Sequence, residues 1–497
     1  MNAIILSACT LLMRTVAVAF NAFCVNKVGS EGMGLFSLVM SVYTFAVTVA
    51  TSGVNLASTR LTALYYGKNQ GKSVKSAMRK CFLYSFAFGT AASILLYIFS
   101  DFAAKHFLCE ARAGTSLRAL SLSLLPLSLC SAISGYFSAV RRVYKNAVSQ
   151  VLEQTVKILS CTFLLAALLP RGIEFACLAL VLGGTLSELF SFILQALSYF
   201  LDAKNLVGDG EKVSFGTVAK ISLPVALSAY VRSGLVTLEH VLIPIGLSAF
   251  GDEAALATYG TVSAVALPIV LYPSAFVGAF SGQIIPEITE FDAAKNKKEV
   301  AYIASRAFFV TEFFSFLAAG MFSVFSFDLC YVIYGSHDAA EYLRALAPLV
   351  PIMFLDTVTD SILKGLGKQF YTMCVNIADA AVSVLLVWLL VPRMGIYGYV
   401  AVLYVSECVN TVFSIGKLLS LTDLKISLKK TVFLPLLSTV GSANILFLAF
   451  SFFLPEINAF TLIFKCICYV TLYFATSFLF GTLTKEEINW IKGVVKR

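Results

Sequence analysis

Charge is what this sequence is short of. Asp, Glu, Lys and Arg make up 13% of its 497 residues, against about 25% in a soluble domain. Polar stretches are equally scarce. The longest of them, such as Asp202–Ser214, are linker-sized, which leaves no separate soluble domain between the apolar runs. The three histidines (His106, His240 and His337) are far apart, and neither they nor the 12 cysteines have metal-ligand spacing. Zinc, nucleophile-elbow and dinucleotide signatures are missing, so neither an enzyme nor a resident cofactor or metal is expected. Gly67-Lys-Asn-Gln-Gly71-Lys72-Ser73 approaches a phosphate-binding loop, but its first spacer is one residue short and an apolar helix precedes it. Residues 1–28 lack the basic start and small-residue cleavage site of a signal peptide, and Arg14 interrupts their apolar run. They read as a retained first spanning helix.

Hydrophobic residues, in contrast, make up 59% of the chain, in runs near the ~20 residues a helix needs to cross a bilayer. The expected spans are 3–26, 34–62, 80–100, 117–140, 147–169, 173–199, 217–247, 256–288, 301–327, 344–365, 371–391, 396–420, 431–453 and 459–483. Alternate loops differ sharply in charge. One set, with the tail, carries 25 Lys and Arg residues, among them Lys68, Arg141, Lys204, Lys295, Lys364 and Lys429, while the other carries seven. Sustained asymmetry of that kind predicts an even number of crossings with both ends cytoplasmic, here fourteen. It also accounts for the net charge of +9 without nucleic acid as a partner. Most cysteines lie inside apolar runs, where a thiol behaves as a small hydrophobe. Cys109 and Cys330 both fall on the outer side, which leaves a disulfide between them open.

An internal repeat organises the spans. Gly34 and Gly260 open their helices 226 positions apart, and the same offset relates Ser37 to Ser263, Val39 to Val265 and Ala139 to Gly365. Spans one to six therefore match spans seven to twelve in parallel orientation, a transporter architecture with the substrate path between the halves. The expected fold class is an all-α integral membrane protein of about fourteen transmembrane helices. It has an N-terminal lobe (1–200), a cytoplasmic linker (201–216), a C-terminal lobe (217–421), two extra helices (422–483) and an amphipathic tail (484–497). It is expected to be a monomer.

Charges inside the spans mark candidate sites, because an arginine at mid-membrane costs roughly 2.5–3.5 kcal/mol and persists when it faces a partner or a watery cavity. Arg14 is near the middle of span one and Arg232 near the middle of span seven, its repeat partner, with Arg60 toward the cytoplasmic end of span two. A cavity lined by them would be cationic and suited to phosphate, which guanidinium pairs bidentately. Asp356 and Asp360, one turn apart in span ten, could bind a coupling cation or proton or accept an arginine. Glu239 and His240 in span seven could titrate or pair with Arg14 or Arg232. Glu153 and Lys157, one turn apart in span five, are expected to neutralise each other, and Lys465 to snorkel. Gly53, Pro224, Pro268 and Pro273 interrupt spans two, seven and eight and are candidate hinges, since proline removes a backbone hydrogen bond. Static kinks that shape the bundle would place them there equally well.

Several segments resemble the stage V sporulation protein B group. They are Gly29-Ser-Glu-Gly-Met-Gly-Leu-Phe36, Ala50-Thr-Ser-Gly-Val-Asn55 with Ala57-Ser-Thr-Arg-Leu61, and Gly135-Tyr-Phe137 with Ser149-Gln-Val-Leu-Glu-Gln154. Further along come Tyr259-Gly260 with Ala266-Leu-Pro268, Pro273 and Ile285-Pro-Glu-Ile288, then Ile362-Leu-Lys-Gly-Leu-Gly-Lys368 with Gly395-Ile-Tyr-Gly398. The group sits in the polysaccharide-transporter branch of the multidrug/oligosaccharidyl-lipid/polysaccharide (MOP) exporter superfamily, beside the MurJ-type lipid II flippases. The resemblance implies a plasma-membrane flippase for undecaprenyl-diphosphate-linked sugars in peptidoglycan, polysaccharide or spore-cortex synthesis. It also implies a central cavity lined by spans one, two, seven and eight, in which Arg14 falls on the family's first-helix arginine and Arg60 near a basic position. Where relatives carry a second basic residue after that arginine, this chain has Phe20 and Asn21.

The expected partners are therefore a lipid-linked sugar, membrane lipids and cell-envelope synthesis enzymes. The rival expectation is a cation-coupled multidrug exporter, which would rest on Asp356 and Asp360 instead of the arginines. A non-transporting scaffold of an envelope-synthesis complex is a third class.

Overall fold

The computed structural model describes residues 2–424, 426–450 and 458–483. Every regular element among them is helical, as lipid demands: with no water to bond an exposed backbone, an apolar segment must satisfy its own N–H and C=O groups. The expected tail at 484–497 and the end of span thirteen lie outside the described residues.

Ten helices are long and apolar enough to cross a bilayer, and two bent pairs bring the number to twelve. The first of the ten, Leu12–Gly67, has 56 residues, about 84 Å of helix at 1.5 Å per residue and enough for two crossings. Its turn is Gly29, at φ 80° and ψ 169° inside helix α1 (Asn2–Thr51). A further apolar helix, α17 (Leu434–Phe450), follows a π-turn at Lys429–Phe433. The described residues thus carry ten to twelve apolar spans, and the expected fourteen are reached when Leu12–Gly67 counts as two crossings and α17 as one.

Packing divides the chain into two units, Met1–Gly260 with Ser383–Ile396, and Thr261–Val382 with the chain from Tyr397 onward. In the first unit, α2 (Val54–Gly67), α3 (Gly71–Phe102), α5 (Leu124–Ala139) and α8 (Phe215–Phe250) enclose a core that includes Val54, Leu61, Cys81, Tyr84 and Val218. Small residues let these helices approach. Ser58 donates to the Ala132 carbonyl at 2.6 Å and Ser128 to the Ala50 carbonyl at 2.8 Å. Near the C-terminal end of α7 (Ile173–Lys204) Asp202 gathers Tyr136 at 2.9 Å, Lys145 at 3.1 Å and Arg142. The linker after α7 lies along the start of α3: Lys72 N–H donates to the Gly208 carbonyl at 3.3 Å, and its ammonium meets Asp209 at 2.6 Å.

In the second unit, α12 (Lys297–Tyr334) packs on α14 (Val350–Gly365), α17 and α18 (Ala459–Leu479). Tyr469 and Tyr473 are fully buried there, and Tyr473 donates to the Phe313 carbonyl at 2.9 Å. Lys465 corrects an expectation. Its side chain is 11% exposed and its ammonium lies 2.8 Å from Asp328 Oδ2, so it pairs instead of snorkelling. The carboxylate in reach makes the buried charge tolerable. Cys109 and Cys330 are both free thiols, and the disulfide left open by the sequence is not formed.

Candidate translocation site

A line of polar and backbone contacts joins the second arm of α1, residues 30–51, to α8 and the short helix α9 (Ala255–Gly260) in the first unit. At its outer end the chain passes through Gly34 and Gly260. A Cβ built on Gly34 would collide with the Leu256 carbonyl oxygen, and one on Gly260 with the Ser30 carbonyl. Two backbones therefore touch where any side chain would hold them apart. Deeper in, Thr237 donates to the Ser41 carbonyl at 3.0 Å and Thr48 to Ser233 Oγ at 3.2 Å. The Ser52 hydroxyl meets the Tyr230 hydroxyl, and the Ser52 carbonyl accepts from Tyr84 at 3.2 Å. Gly53 ends the line at φ 69°, a left-handed conformation that favours glycine, between α1 and α2. Interhelical side-chain hydrogen bonds in membranes contribute about 0.6 kcal/mol each, so three of them add about 2 kcal/mol.

The three predicted arginines stand on three helices, and none of them lines a described cavity. Arg14 is half-buried on the first arm of α1, while Arg60 on α2 and Arg232 on α8 are exposed. Among the described residues none of the three has a hydrogen bond or a carboxylate within ion-pair distance. Unpaired charge in a spanning helix requires polar surroundings supplied from outside the protein's own side chains. Arg112, by contrast, is held at 2.9 Å by Glu31 and at 3.0 and 3.1 Å by the two oxygens of Glu110. These three side chains and Glu253 line a cavity of about 370 Å³.

The other predicted residues fall elsewhere. His240 Nδ1 lies 3.0 Å from the hydroxyl of Tyr259, beside the Gly34–Gly260 crossing, and so is tied to a phenol instead of an arginine. Glu239 is half-buried on the same helix. Pro224 and Pro244 lie within α8, which stays one helix through both. Pro273 stands where Ala255–Leu271 meets Ser274–Ala293 at 51°, and Pro268 opens the short helix after a π-turn at Thr261–Ala266. Glu153 and Lys157, expected to neutralise each other, are not in contact within 4 Å, although the charge of Lys157 still acts on the Glu153 carboxylate.

In the second unit Asp356 and Asp360 are drawn into a network that sequence reasoning missed. Asn410 donates to Asp356 Oδ2 at 3.2 Å and to Asn376 Oδ1 at 3.3 Å, and Asn376 donates to Asp360 Oδ2 at 3.2 Å. Lys364 stands 3.7 Å from Asp360, and Ser406 donates to Asp379 at 2.6 Å. The basic neighbour is thus a lysine one turn away on the same helix, where an arginine was one of the expectations. A counterpart in the first unit joins Tyr43 to Glu188 and to Ser123, each at 2.6 Å. One signal was available: Glu153 and Asp379 stand 226 positions apart, at the repeat offset.

An all-helical, multi-pass membrane protein with small-residue helix crossings and unpaired intramembrane arginines has the build of a transporter. Residues 1–291 match the polysaccharide biosynthesis protein family, and residues 229–389 match MatE. Stage V sporulation protein B of Bacillus subtilis (strain 168) is 23% identical over 410 residues, covering 80% of this chain and 78% of the relative. Lipid II flippase MurJ of the same organism is 23% identical over 393 residues, covering 72% and 71%. A solved structure of lipid II flippase MurJ in an inward closed conformation shares the fold, with a TM-score of 0.73 at 13% identity over 96% of this chain and 98% of that one. The chain belongs to the polysaccharide biosynthesis protein family and, within it, to the stage V sporulation protein B/MurJ type of the MOP superfamily. The resemblance carried by the sequence motifs is borne out at that level.

Proposed function

We propose that this protein flips a polyprenyl-diphosphate-linked sugar precursor across the membrane by alternating access. The observation that carries the reading is Arg14, a half-buried cation in a spanning helix with no carboxylate partner among the described residues. Such a residue persists where it faces a partner or a watery cavity, and a diphosphate in such a cavity is an anion that its fork matches bidentately. In this mechanism Arg14, Arg60 and Arg232 draw the headgroup in from the cytoplasmic side, and the prenyl tail stays in lipid. The Gly34–Gly260 crossing closes the outer side and parts for release. Beyond it lies the rim of Glu31, Glu110 and Glu253 with Arg112 paired to the first two, whose remaining net negative charge disfavours return of an anion. Lipid II or another lipid-linked oligosaccharide fits the relatives' names and this chemistry.

The test is reconstitution of the whole protein in vesicles with a fluorescent lipid-linked sugar. Substitution of both Arg14 and Arg232 by alanine is expected to abolish flipping, and full activity of that variant would sink the reading.

One observation favours a second reading. The buried network of Asp356, Asp360, Asn376 and Asn410 supplies the carboxylates that a cation-coupled multidrug exporter would use, within the stretch that matches MatE. Transport of organic cations abolished by loss of Asp356, with lipid flipping absent, would establish it instead.

A further inference from the structure

Lys157 is the intramembrane charge that the mechanism above leaves unused. It sits well inside the spanning helix α6 (Val143–Leu168), is half-buried, and among the described residues has no hydrogen bond and no ion pair. Glu153 precedes it by one turn, the spacing at which a helix pairs Glu with Lys, yet the two stay beyond ion-pair distance. The charges of Glu153 and of Glu188 on α7 still act on it from beyond contact distance, which leaves its three N–H donors open to a further acceptor. Lys157 lines a pocket of about 180 Å³ whose wall also carries the amides of Asn21 and Gln154, with Phe20 and Phe36 as its apolar side.

The pocket belongs to the same face of α1 as Arg14. Ala17, Asn21 and Cys24 line it, and they follow Arg14 by three, seven and ten residues, the spacing of one helical stripe. Asn21 is about 10 Å farther along the axis than Arg14. Loop charges put the start of α1 on the cytoplasmic side, so the pocket lies deeper toward the outer face. Arg14 and Asn21 thus share a stripe of α1, while Gln154 and Lys157 reach the same pocket from α6, and each of the four can donate to a phosphate oxygen.

We propose that Lys157, with Asn21 and Gln154, forms a second anion station in the first unit, which takes a diphosphate group after Arg14 and holds it farther from the cytoplasm. The proposal rests on the reading that the cargo carries a diphosphate. It assigns a substrate contact to span five, and it makes Lys157 a point-charge ligand, where Arg14 is a fork.

The test is equilibrium binding of undecaprenyl diphosphate, undecaprenyl monophosphate and inorganic pyrophosphate to the full-length protein in nanodiscs. The wild type is compared with Lys157→Gln, Lys157→Arg, Glu153→Gln, the double variant Lys157→Gln/Glu153→Gln, and Arg14→Gln. The expected result is a roughly tenfold loss of diphosphate-lipid affinity in Lys157→Gln, a smaller loss for the monophosphate, and recovery in Lys157→Arg. Glu153→Gln should not restore the double variant. Competition by pyrophosphate would mean that the station takes the free anion, and its absence that the lipid-linked headgroup is required; both leave the station in place. If Lys157→Gln binds like the wild type while Arg14→Gln does not, the station is wrong and the flippase reading stands. Restored binding in the double variant would make Lys157 a partner of Glu153 and overturn the proposal. A wild type that binds no diphosphate lipid would remove the reading on which it rests.

Discussion

Gly34 and Gly260, related by the internal repeat, touch each other through their backbones. A methyl group on Gly34 would meet the Leu256 carbonyl oxygen, and one on Gly260 the Gly34 amide and the Ser30 carbonyl. These are main-chain atoms that no rotamer change can move. Overpacking of this kind costs about 1–3 kcal/mol, comparable to the hydrogen bonds that close the line below it. Gly34→Ala is therefore expected to bias the protein toward an outer-open state. A cysteine placed at Ser41, which is buried beneath the crossing, should become reactive to a membrane-impermeant maleimide, and flipping should fall by about tenfold. Unchanged labelling and unchanged flipping would show that this crossing is not the closure.

Arg14 offers a sharper test of headgroup recognition than its removal. Arginine presents a planar fork to phosphate and lysine a single hydrated charge. If a diphosphate is bound there, Arg14→Lys should keep the charge, lose the bidentate bonds and bind the cargo more weakly, with Arg14→Gln worse again. Hydrogen bonds to charged groups are worth about 1.5–3 kcal/mol, so Arg14→Gln should reduce flipping by about 10- to 150-fold. Equal activity in the lysine and glutamine variants would argue against a direct phosphate contact.

The membrane fold was legible because its determinants are one-dimensional. Twenty apolar residues and a sign of loop charge are properties of consecutive positions, and Gly29 needs no distant neighbour to end a span. The identities of ion-pair partners are not of that kind. Nothing near Lys465 in sequence announces Asp328, 137 positions away, so an isolated lysine reads as one that reaches for the interface. Glu153 and Lys157 have the spacing of a helix pair, and the sequence could not show that Lys157 lines a pocket built from spans one, two, five and six. The asparagines Asn376 and Asn410 were passed over because they carry no charge, although a buried carboxylate needs such donors more than it needs a second charge. Where Arg14, Arg60 and Arg232 act on cargo is a proposal that the residues themselves suggested.

Asp356 and Asp360 bear on energy coupling. Both are at least nine-tenths buried, and Asp360 Oδ1 and Asn410 Oδ1 have no hydrogen-bond partner among the described residues. If the network binds the coupling ion, Asp356→Asn should leave the lipid-linked substrate bound with near-normal affinity and remove the dependence of flipping on an imposed sodium or proton gradient. Flipping that still follows the gradient in this variant would place coupling elsewhere.

The Lys465–Asp328 pair ties the last span to α12 with its two side chains 11% and 16% exposed. Removing one member of a buried pair strands the other charge, at a cost of about 3–5 kcal/mol, whereas replacing both with apolar groups is often neutral. Lys465→Met should therefore lower the Tm of the purified protein markedly, and Lys465→Met/Asp328→Leu should recover most of the loss. The exchanged pair, Lys465→Asp/Asp328→Lys, should fold and fall between them. A snorkelling lysine would behave differently: its removal would be nearly silent, and the second substitution would compensate nothing. Thermal unfolding of the four variants, with Asp328→Leu as the fourth, separates the two cases, because the coupling between the sites is large for a buried pair and close to zero for a surface charge.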